Sequence, residues 1–304
     1  FLSSFENLRK NIIEKTEIKS LLQLGYGVIG IAFGTTAFNL KKSLPAENRG
    51  NYFRMFDKIA QNIKTEDCAT LFRIAKSNDS FRYKFDEYSS ENKISETIES
   101  NEQGNLIKFQ AKQKDFEKIP GSPIAYWVSD KVRNIFENSL KIEDFGFAPT
   151  QNKTANNEKY LRFLWEINNK FKDIKWVKYS KGGEFRKWYG NIDNVIDWSD
   201  SAKEFYKNNK TSNLMEKEYW YKKGISYSAI TSSDLSFRHN DNHISDMKGP
   251  TFLLDELFYL LGLLNNKFSN NMIKILNPTV SIQVRDIKNI PVIFPRDTQL
   301  KKYT

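Results

Sequence analysis

Between Lys175 and Gly190 the chain reads KWVKYSKGGEFRKWYG: five basic residues, five aromatics and a Gly-Gly pair around one acid, Glu184. This mixture suits contact with a polyanion that also offers flat faces. Lys178, Lys181, Arg186 and Lys187 can neutralise phosphates, which makes binding salt-sensitive. Gly182 and Gly183 lack side chains, so the backbone there can approach a phosphate and donate N–H groups. Trp188 and Tyr189 can pack on sugars or on an extruded base. The competing reading is a turn whose cations lie in solvent and whose aromatics fill the core. Composition alone leaves both open.

A second set could read base edges. Thr150 to Asn157 is TQNKTANN. The amides of Gln151, Asn152 and Asn156 can pair bidentately with adenine in the major groove, although such residues also dominate plain loops. Ser232, Ser233 and Arg238 join them as base-edge candidates. His239 and His243 lie four apart in RHNDNH, with Asp241 and Asp246 nearby. Asn240, Asp241 and Asn242 favour a turn, and no third ligand is convincingly spaced, so no metal is assigned. There is no G-x-S-x-G elbow, no P-loop and no legible nucleophile-base-acid set. Asp255 and Glu256 precede an apolar run, where acids suit a helix N-terminus. Gly25, Gly27 and Gly30 have G-x-G-x-x-G spacing. A dinucleotide fingerprint needs strand, turn, then helix. Here Ile31-Ala32-Phe33 and TTAFNLKK follow, which read as strand, so a hairpin with a bulge is expected.

These residues need elements to hold them. Ser3 or Ser4 caps a helix to about Lys15, with Phe5, Leu8 and Ile12 on one face. IKSLLQLG is a strand ending at Gly25. Thr65 caps a helix through Lys76. A polar stretch follows, and LIKFQAK is a short strand. At Pro120 the sequence PGSPIAYWVSD signals a boundary: Ser122 is a suitable N-cap and Pro123 falls at the first helical position. Tyr160, Phe163, Leu164 and Ile167 have helical spacing. WVKY is a strand before Gly182. KKGISYSAITSSDLSFRH alternates as strands. The run from Thr251 to Thr279 reads as two helices broken near Asn265-Asn266. VSIQVRDIKNIPVIFP is a strand followed by a short helical turn.

The bulk numbers bound the class. With 304 residues and 39% hydrophobic content, the chain can fill one large core or two smaller ones. A formal net charge of +10 favours nucleic acid or an anionic surface as partner. Lysine-rich, AT-biased genomes also give basic proteins without such a role. The single cysteine, Cys68, excludes an internal disulfide and reads as a packed side chain of the helix TEDCATLFRIA. Apolar runs are too short to span a bilayer. No signal peptide is visible, and a cytoplasmic location is expected. The chain opens FLSSFENLRK, without an initiator methionine, and reads as a fragment or a processed product.

Five stretches occur together in order: PGSPIAYWVSDKVRNIF, KWVKYSKGGEFRKWYGN, GISYSAITSSDLSFR, LLGLLNNK and KILNPTVSIQVRDIKNIPV. They resemble the adenine-specific DNA methyltransferases of BREX phage-exclusion systems, the PglX family. They are also similar to the wider group of type IIG and type I restriction-modification methylases. FLSSFENLRK and TTAFNLKK look like that family's late methyltransferase-fold segment. The likeness covers most of the chain and is weakest from about Pro45 to Lys118.

The resemblance implies methylation of the exocyclic amino group of one adenine in a short site, with S-adenosylmethionine as donor in the complete enzyme. The family's Asn-Pro-Pro-Tyr or Phe motif and its glycine-rich cofactor loop lie before the matched segment. Neither stands here: Asn277-Pro278 is followed by Thr279. No catalytic or cofactor-binding residue is therefore assigned, and no cofactor is expected for this chain alone. In relatives the recognition loop often reads Thr-Gly before an Asn; here it is Thr154-Ala155-Asn156. The implied fold class is α/β (α+β). Residues 1–44 would end a methyltransferase-like sheet and 45–120 would be a connector or insertion. Residues 121–304 would form a mixed α/β target-recognition domain. The implied partners are double-stranded DNA, an N-terminal methyltransferase half in the same or a separate chain, and other phage-defence proteins, with no membrane. The alternatives are a non-enzymatic DNA-binding specificity subunit and the recognition part of a type IIG restriction-methylation fusion.

Overall fold

Glu17–Leu24 and Arg49–Met55 pair side by side at the centre of the first sheet, with Ile18, Leu21, Tyr52, Phe53 and Met55 buried. The computed structural model describes residues 5–28, 30, 34–45, 47, 49–57 and 61–294. The chain divides into two compact units, Phe1–Glu137 and Asn138–Thr304.

The first unit runs α1 (Glu6–Lys15), β1 (Glu17–Leu24), β2 (Thr36–Lys41), β3 (Arg49–Met55), α2 (Thr65–Ser77), β4 (Arg82–Tyr83), β5 (Asn105–Leu106), β6 (Lys108–Lys112) and α3 (Asp130–Asn138). Its main sheet has the order β2-β1-β3-β6. β1 pairs antiparallel with β2 and parallel with β3, and β3 pairs antiparallel with β6. The glycine-spaced segment thus joins two antiparallel strands, as the hairpin reading expects; Ile31, Ala32 and Phe33 lie outside the described residues. Ser3 and Ser4 also lie outside them, and α1 starts at Glu6. Phe5 and Leu8 are exposed, whereas Ile13 is buried. Gln113 explains which face turns inward. Its Nε2 donates to the carbonyls of Ile13 and Thr16 at 2.7 and 2.6 Å, and its Oε1 accepts from Ile18 N–H at 2.8 Å. That buried amide replaces the bonds α1 loses at its end.

Two expectations need correction. Residues 45–120 are not a connector: β3 and β6 are half of the sheet. Tyr52, Phe53 and Met55 of β3 are buried. The expected break at 121 also moves. Ser122 does not cap a helix; it is buried with φ +47°, and α3 begins only at Asp130. The intervening residues complete the first core instead, with Tyr126 stacked on Tyr52 at 5.0 Å.

The second unit contains β7 (Leu140–Lys141), β8 (Gly146–Phe147), α4 (Asn157–Tyr160), β9 (Leu161–Phe163), β10 (Trp176–Ser180), β11 (Asn194–Asp197), α5 (Asp200–Asn208), β12 (Gly224–Tyr227), β13 (Phe237–Asn240), β14 (Ile244–Ser245), β15 (Thr251–Leu254), α6 (Leu257–Leu264), α7 (Lys267–Leu276), α8 (Val284–Lys288) and β16 (Pro291–Val292). Two four-stranded sheets carry it, ordered β14-β10-β11-β9 and β13-β12-β15-β8. The first packs Val177, Tyr179, Ile196 and Ile244 against Ala202 and Tyr206 of α5. Each such aliphatic side chain contributes about 1.5–3 kcal/mol on full burial. The second sheet turns Ile225, Tyr227, Phe237 and Phe252 to one side and Ser226, Arg238, Asn240 and Thr251 to the other, as the register requires. The polar side is satisfied internally: Ser245 and Asn240 both donate to Thr251 Oγ1, at 2.6 and 2.7 Å.

The helix expected over Tyr160 to Ile167 breaks into the three-residue strand β9 and a 3-10 turn, Leu164–Glu166. β9 pairs antiparallel with β11, and only four residues precede it as helix. The break at Asn265-Asn266 falls as expected, because the Asn266 side chain caps α7 by accepting from Ser269 N–H at 3.0 Å. Thr251–Leu254, expected as the start of the first helix, forms strand β15 instead, and α6 begins only at Leu257. Val280–Gln283 precedes α8 without forming a strand.

Candidate nucleic-acid interface

β10 ends at Ser180, and the chain returns as β11 at Asn194 after the basic-aromatic loop. The base of this loop is locked. Asp246, which is buried, accepts from the Tyr179 hydroxyl at 2.5 Å, from Lys181 Nζ at 2.9 Å and from Lys248 N–H at 2.6 Å. Lys181, expected on a phosphate, is held by this carboxylate. Gly182 is also corrected. It is buried at φ +85°, and a Cβ there would lie 2.7 Å from the Lys248 carbonyl. Its missing side chain admits neighbouring backbone, not a ligand.

Beyond Gly182 the loop emerges. Gly183, Glu184, Phe185, Arg186, Trp188 and Tyr189 are exposed. Trp188, at φ +73°, donates its N–H to the Phe237 carbonyl at 3.0 Å and accepts from His239 N–H at 2.8 Å. The backbone is thereby pinned beside β13 while the indole stays about half exposed. Lys187 Nζ donates to the Asn265 carbonyl at 2.7 Å and acts as an anchor. The Arg186 stem passes over Gly190, where a Cβ would lie 2.3 Å from Arg186 Cδ. Among the described residues its guanidinium has no hydrogen bond or ion pair. Lys178 is half-buried on β10. The four expected cations thus separate into one exposed and free group, Arg186, and three that are anchored or partly covered.

The base-edge set is largely internal. Gln151 and Asn152 are buried. Gln151 donates to the Pro149 carbonyl, and Asn152 Oδ1 accepts from Met215 N–H at 3.4 Å. Asn156 caps α4 by accepting from Lys159 N–H at 3.0 Å. Arg238 is 1% exposed, so it reaches no base edge. Its neighbours are hydroxyls and a carbonyl: Ser228 Oγ at 3.1 Å, and Ser236 Oγ and the Arg186 carbonyl, each at 3.4 Å. Burial, then the nearby Arg186 charge, draws its pKa down to about 10. Ser232 and Ser233 are exposed in the β12–β13 loop, where Thr231 Oγ1 accepts from Ser233 N–H at 3.1 Å.

Helical spacing had hidden another exposed group. Phe163 and Trp165 stack at 4.7 Å with 3° between their planes, and both are exposed. Phe163 pairs with Asn194, and Leu164 N–H donates to the Asp193 carbonyl at 2.7 Å. This pair therefore flanks the return of the basic loop. Phe185, inside the basic-aromatic loop, is exposed as well.

His243 is buried with neither ring nitrogen hydrogen-bonded, and its pKa is pushed down to about 4 by burial and then by Lys178. No group of three or more His, Cys, Asp or Glu able to hold a metal occurs among the described residues. Nor is any helix among them long and apolar enough to cross a membrane. The described residues around Gly25 and Asn277 do not build an S-adenosylmethionine site. The glycine-spaced segment lies between two antiparallel strands. Asn277 is committed to a turn, its Oδ1 accepting from Thr279 N–H at 2.9 Å and its Nδ2 donating to Asp286 at 2.6 Å.

No protein-family model matches the chain. It is 28% identical over 330 aligned residues to the adenine-specific methyltransferase PglX of Lacticaseibacillus casei (strain Zhang), covering 100% of this chain and 25% of that protein. It is 27% identical over 311 residues to the adenine-specific methyltransferase BrxX of Escherichia coli O9:H4 (strain HS), covering 96% of this chain and 23% of that protein. Among solved structures, the type IIG restriction endonuclease BpuSI aligns with 99% of this chain and 39% of its own, at 12% identity and a TM-score of 0.30. A likeness that weak carries no argument. By sequence the chain is a relative of the adenine-specific methyltransferases PglX and BrxX, and it spans about a quarter of their length.

Proposed function

We propose that the second unit binds double-stranded DNA in the service of site-specific adenine methylation, within a phage-defence enzyme of BREX or restriction-modification type. Methyl transfer from S-adenosylmethionine would belong to an N-terminal methyltransferase half. The observation that carries this reading is the loop from Gly183 to Tyr189. It sets an unpaired Arg186 among exposed Phe185, Trp188 and Tyr189, on a base pinned by Asp246 and Asn265. A cation free to meet phosphate, with aromatic faces beside it, is what backbone contact and stacking require. The relatives' names, adenine-specific methyltransferases, supply the target base.

The test is duplex binding across salt. Arg186→Ala should weaken binding to any sequence and reduce the salt slope by about one. Lys187→Ala should change the slope less, because its ammonium is bonded to Asn265. An Arg186→Ala chain with unaltered affinity and slope would remove the loop from the interface.

A further inference from the structure

Arg238 poses a physical problem that DNA binding as stated does not absorb. It is buried, and among the described residues no carboxylate pairs with it. The charge that acts on it is another cation, the exposed Arg186. A buried charge without a counter-ion is costly, and a like charge beside it raises the cost. Its pKa stays far enough above neutrality for the guanidinium to remain protonated.

The hydrogen bonds around it orient the loop. Arg238 Nη2 donates to Ser228 Oγ, which in turn donates to the Gly183 carbonyl at 2.8 Å. Nη1 reaches the Arg186 carbonyl and Ser236 Oγ, and Ser236 Oγ also accepts from Arg186 N–H at 3.1 Å. The carbonyls of Gly183 and Arg186 therefore aim inward. In a trans peptide the N–H points opposite to the C=O. The N–H groups of Glu184 and Lys187 consequently aim outward, and neither makes a hydrogen bond among the described residues.

We propose that Arg238 is the positioning residue of an oxyanion site on this loop, where the N–H groups of Glu184 and Lys187 and the Arg186 guanidinium hold one phosphate. Arg238 supplies fixed positive charge behind the donors and sets their direction without touching the ligand. The proposal rests on the DNA-binding reading for its phosphodiester ligand, but free phosphate shares the chemistry. Glu184 is exposed beside the site and opposes the anion.

The experiment uses the full chain with Arg238→Met, Arg238→Lys, Arg186→Ala and Glu184→Gln. One arm follows the melting temperature against inorganic phosphate at constant ionic strength. The other follows binding of a random-sequence duplex against salt. Phosphate should stabilise the wild type and Glu184→Gln, the latter at lower concentration, but not Arg186→Ala or Arg238→Met. Arg238→Met should melt no lower than the wild type without ligand, since it removes an unpaired buried charge. It should also lose about one from the salt slope, and Arg238→Lys should keep most of it. A merely structural role would lower the melting temperature and leave the slope alone. Wild-type phosphate response and slope in Arg238→Met would overturn the proposal while leaving the DNA reading intact. Phosphate stabilisation through Arg186 without any duplex binding would do the reverse. If Arg238→Met fails to fold, Ser228→Ala frees the Gly183 carbonyl, and an unchanged phosphate response would then overturn the proposal.

Discussion

The Tyr179 hydroxyl donates to Asp246 Oδ2 at 2.5 Å, and both side chains are buried. Lys181 reaches the same oxygen, so one carboxylate closes the base of the basic loop and neutralises its first cation. Removing it leaves Lys181 unpaired and Tyr179 without an acceptor for its hydroxyl at that position. Asp246→Ala should cost about 3 kcal/mol, measured as a lower urea midpoint. Lys181→Met should leave the salt slope of duplex binding near the wild-type value. A slope change as large as that of Arg186→Ala would show Lys181 to be free for phosphate.

Ala155 holds φ +57°, the left-handed region that favours glycine. The resemblance implies a glycine at this place, and the loop turns here with a Cβ present. Thr154 Oγ1 donates to Asn157 Oδ1 at 2.6 Å and Asn156 caps α4, so the surrounding contacts hold the strained residue. Ala155→Gly should therefore stabilise the chain by about 1 kcal/mol, read from thermal or urea unfolding. A loss of stability would mean that the left-handed turn carries no strain.

Much of this architecture could be read from residue patterns. The alternation in WVKY and in SYSAITSSDLSFR produced strands, and Asn265-Asn266 broke two helices because Asn266 caps the second. Other features depend on distant partners. The spacing of Tyr160, Phe163 and Leu164 fits a helix, but β11 offers a strand edge that captures Leu161–Phe163. Gln151 and Asn152 have the composition of a reading head, yet they satisfy backbone groups inside the unit. Arg238 reads as a surface cation because unpaired arginines rarely enter a core. Only the register of β12 and β13, which puts it beside Ser226 on the polar side of the sheet, reveals its burial.

Cys68 lies in α2 and is 4% exposed, as its expected role as a packed side chain requires. Burial, with Asp67 adding to it, pushes its thiol up to about 11, so almost none is thiolate at neutral pH. A thiol reagent such as DTNB should react only as the first unit opens, with the rate rising in urea. Fast labelling of the native chain would contradict that burial.

His243 gives stability a pH dependence of known sign. Burial and Lys178 hold its folded pKa near 4, below the ordinary 6.5. The unfolded chain therefore takes up the proton first. The contribution is fully present above about pH 6.5 and is lost as pH falls towards 4. About 2 kcal/mol should disappear by pH 5 and about 3 kcal/mol over the whole window. Neither ring nitrogen has a hydrogen bond of good geometry and the Asp241 backbone is only a weak partner, so an apolar replacement gives up little there. His243→Leu should match or exceed the wild type at pH 7 and flatten the urea-derived stability between pH 7 and pH 5. If the variant kept the wild-type slope across that interval, the acid sensitivity would belong to other groups, and His243 would have to be protonated or solvated in the folded chain.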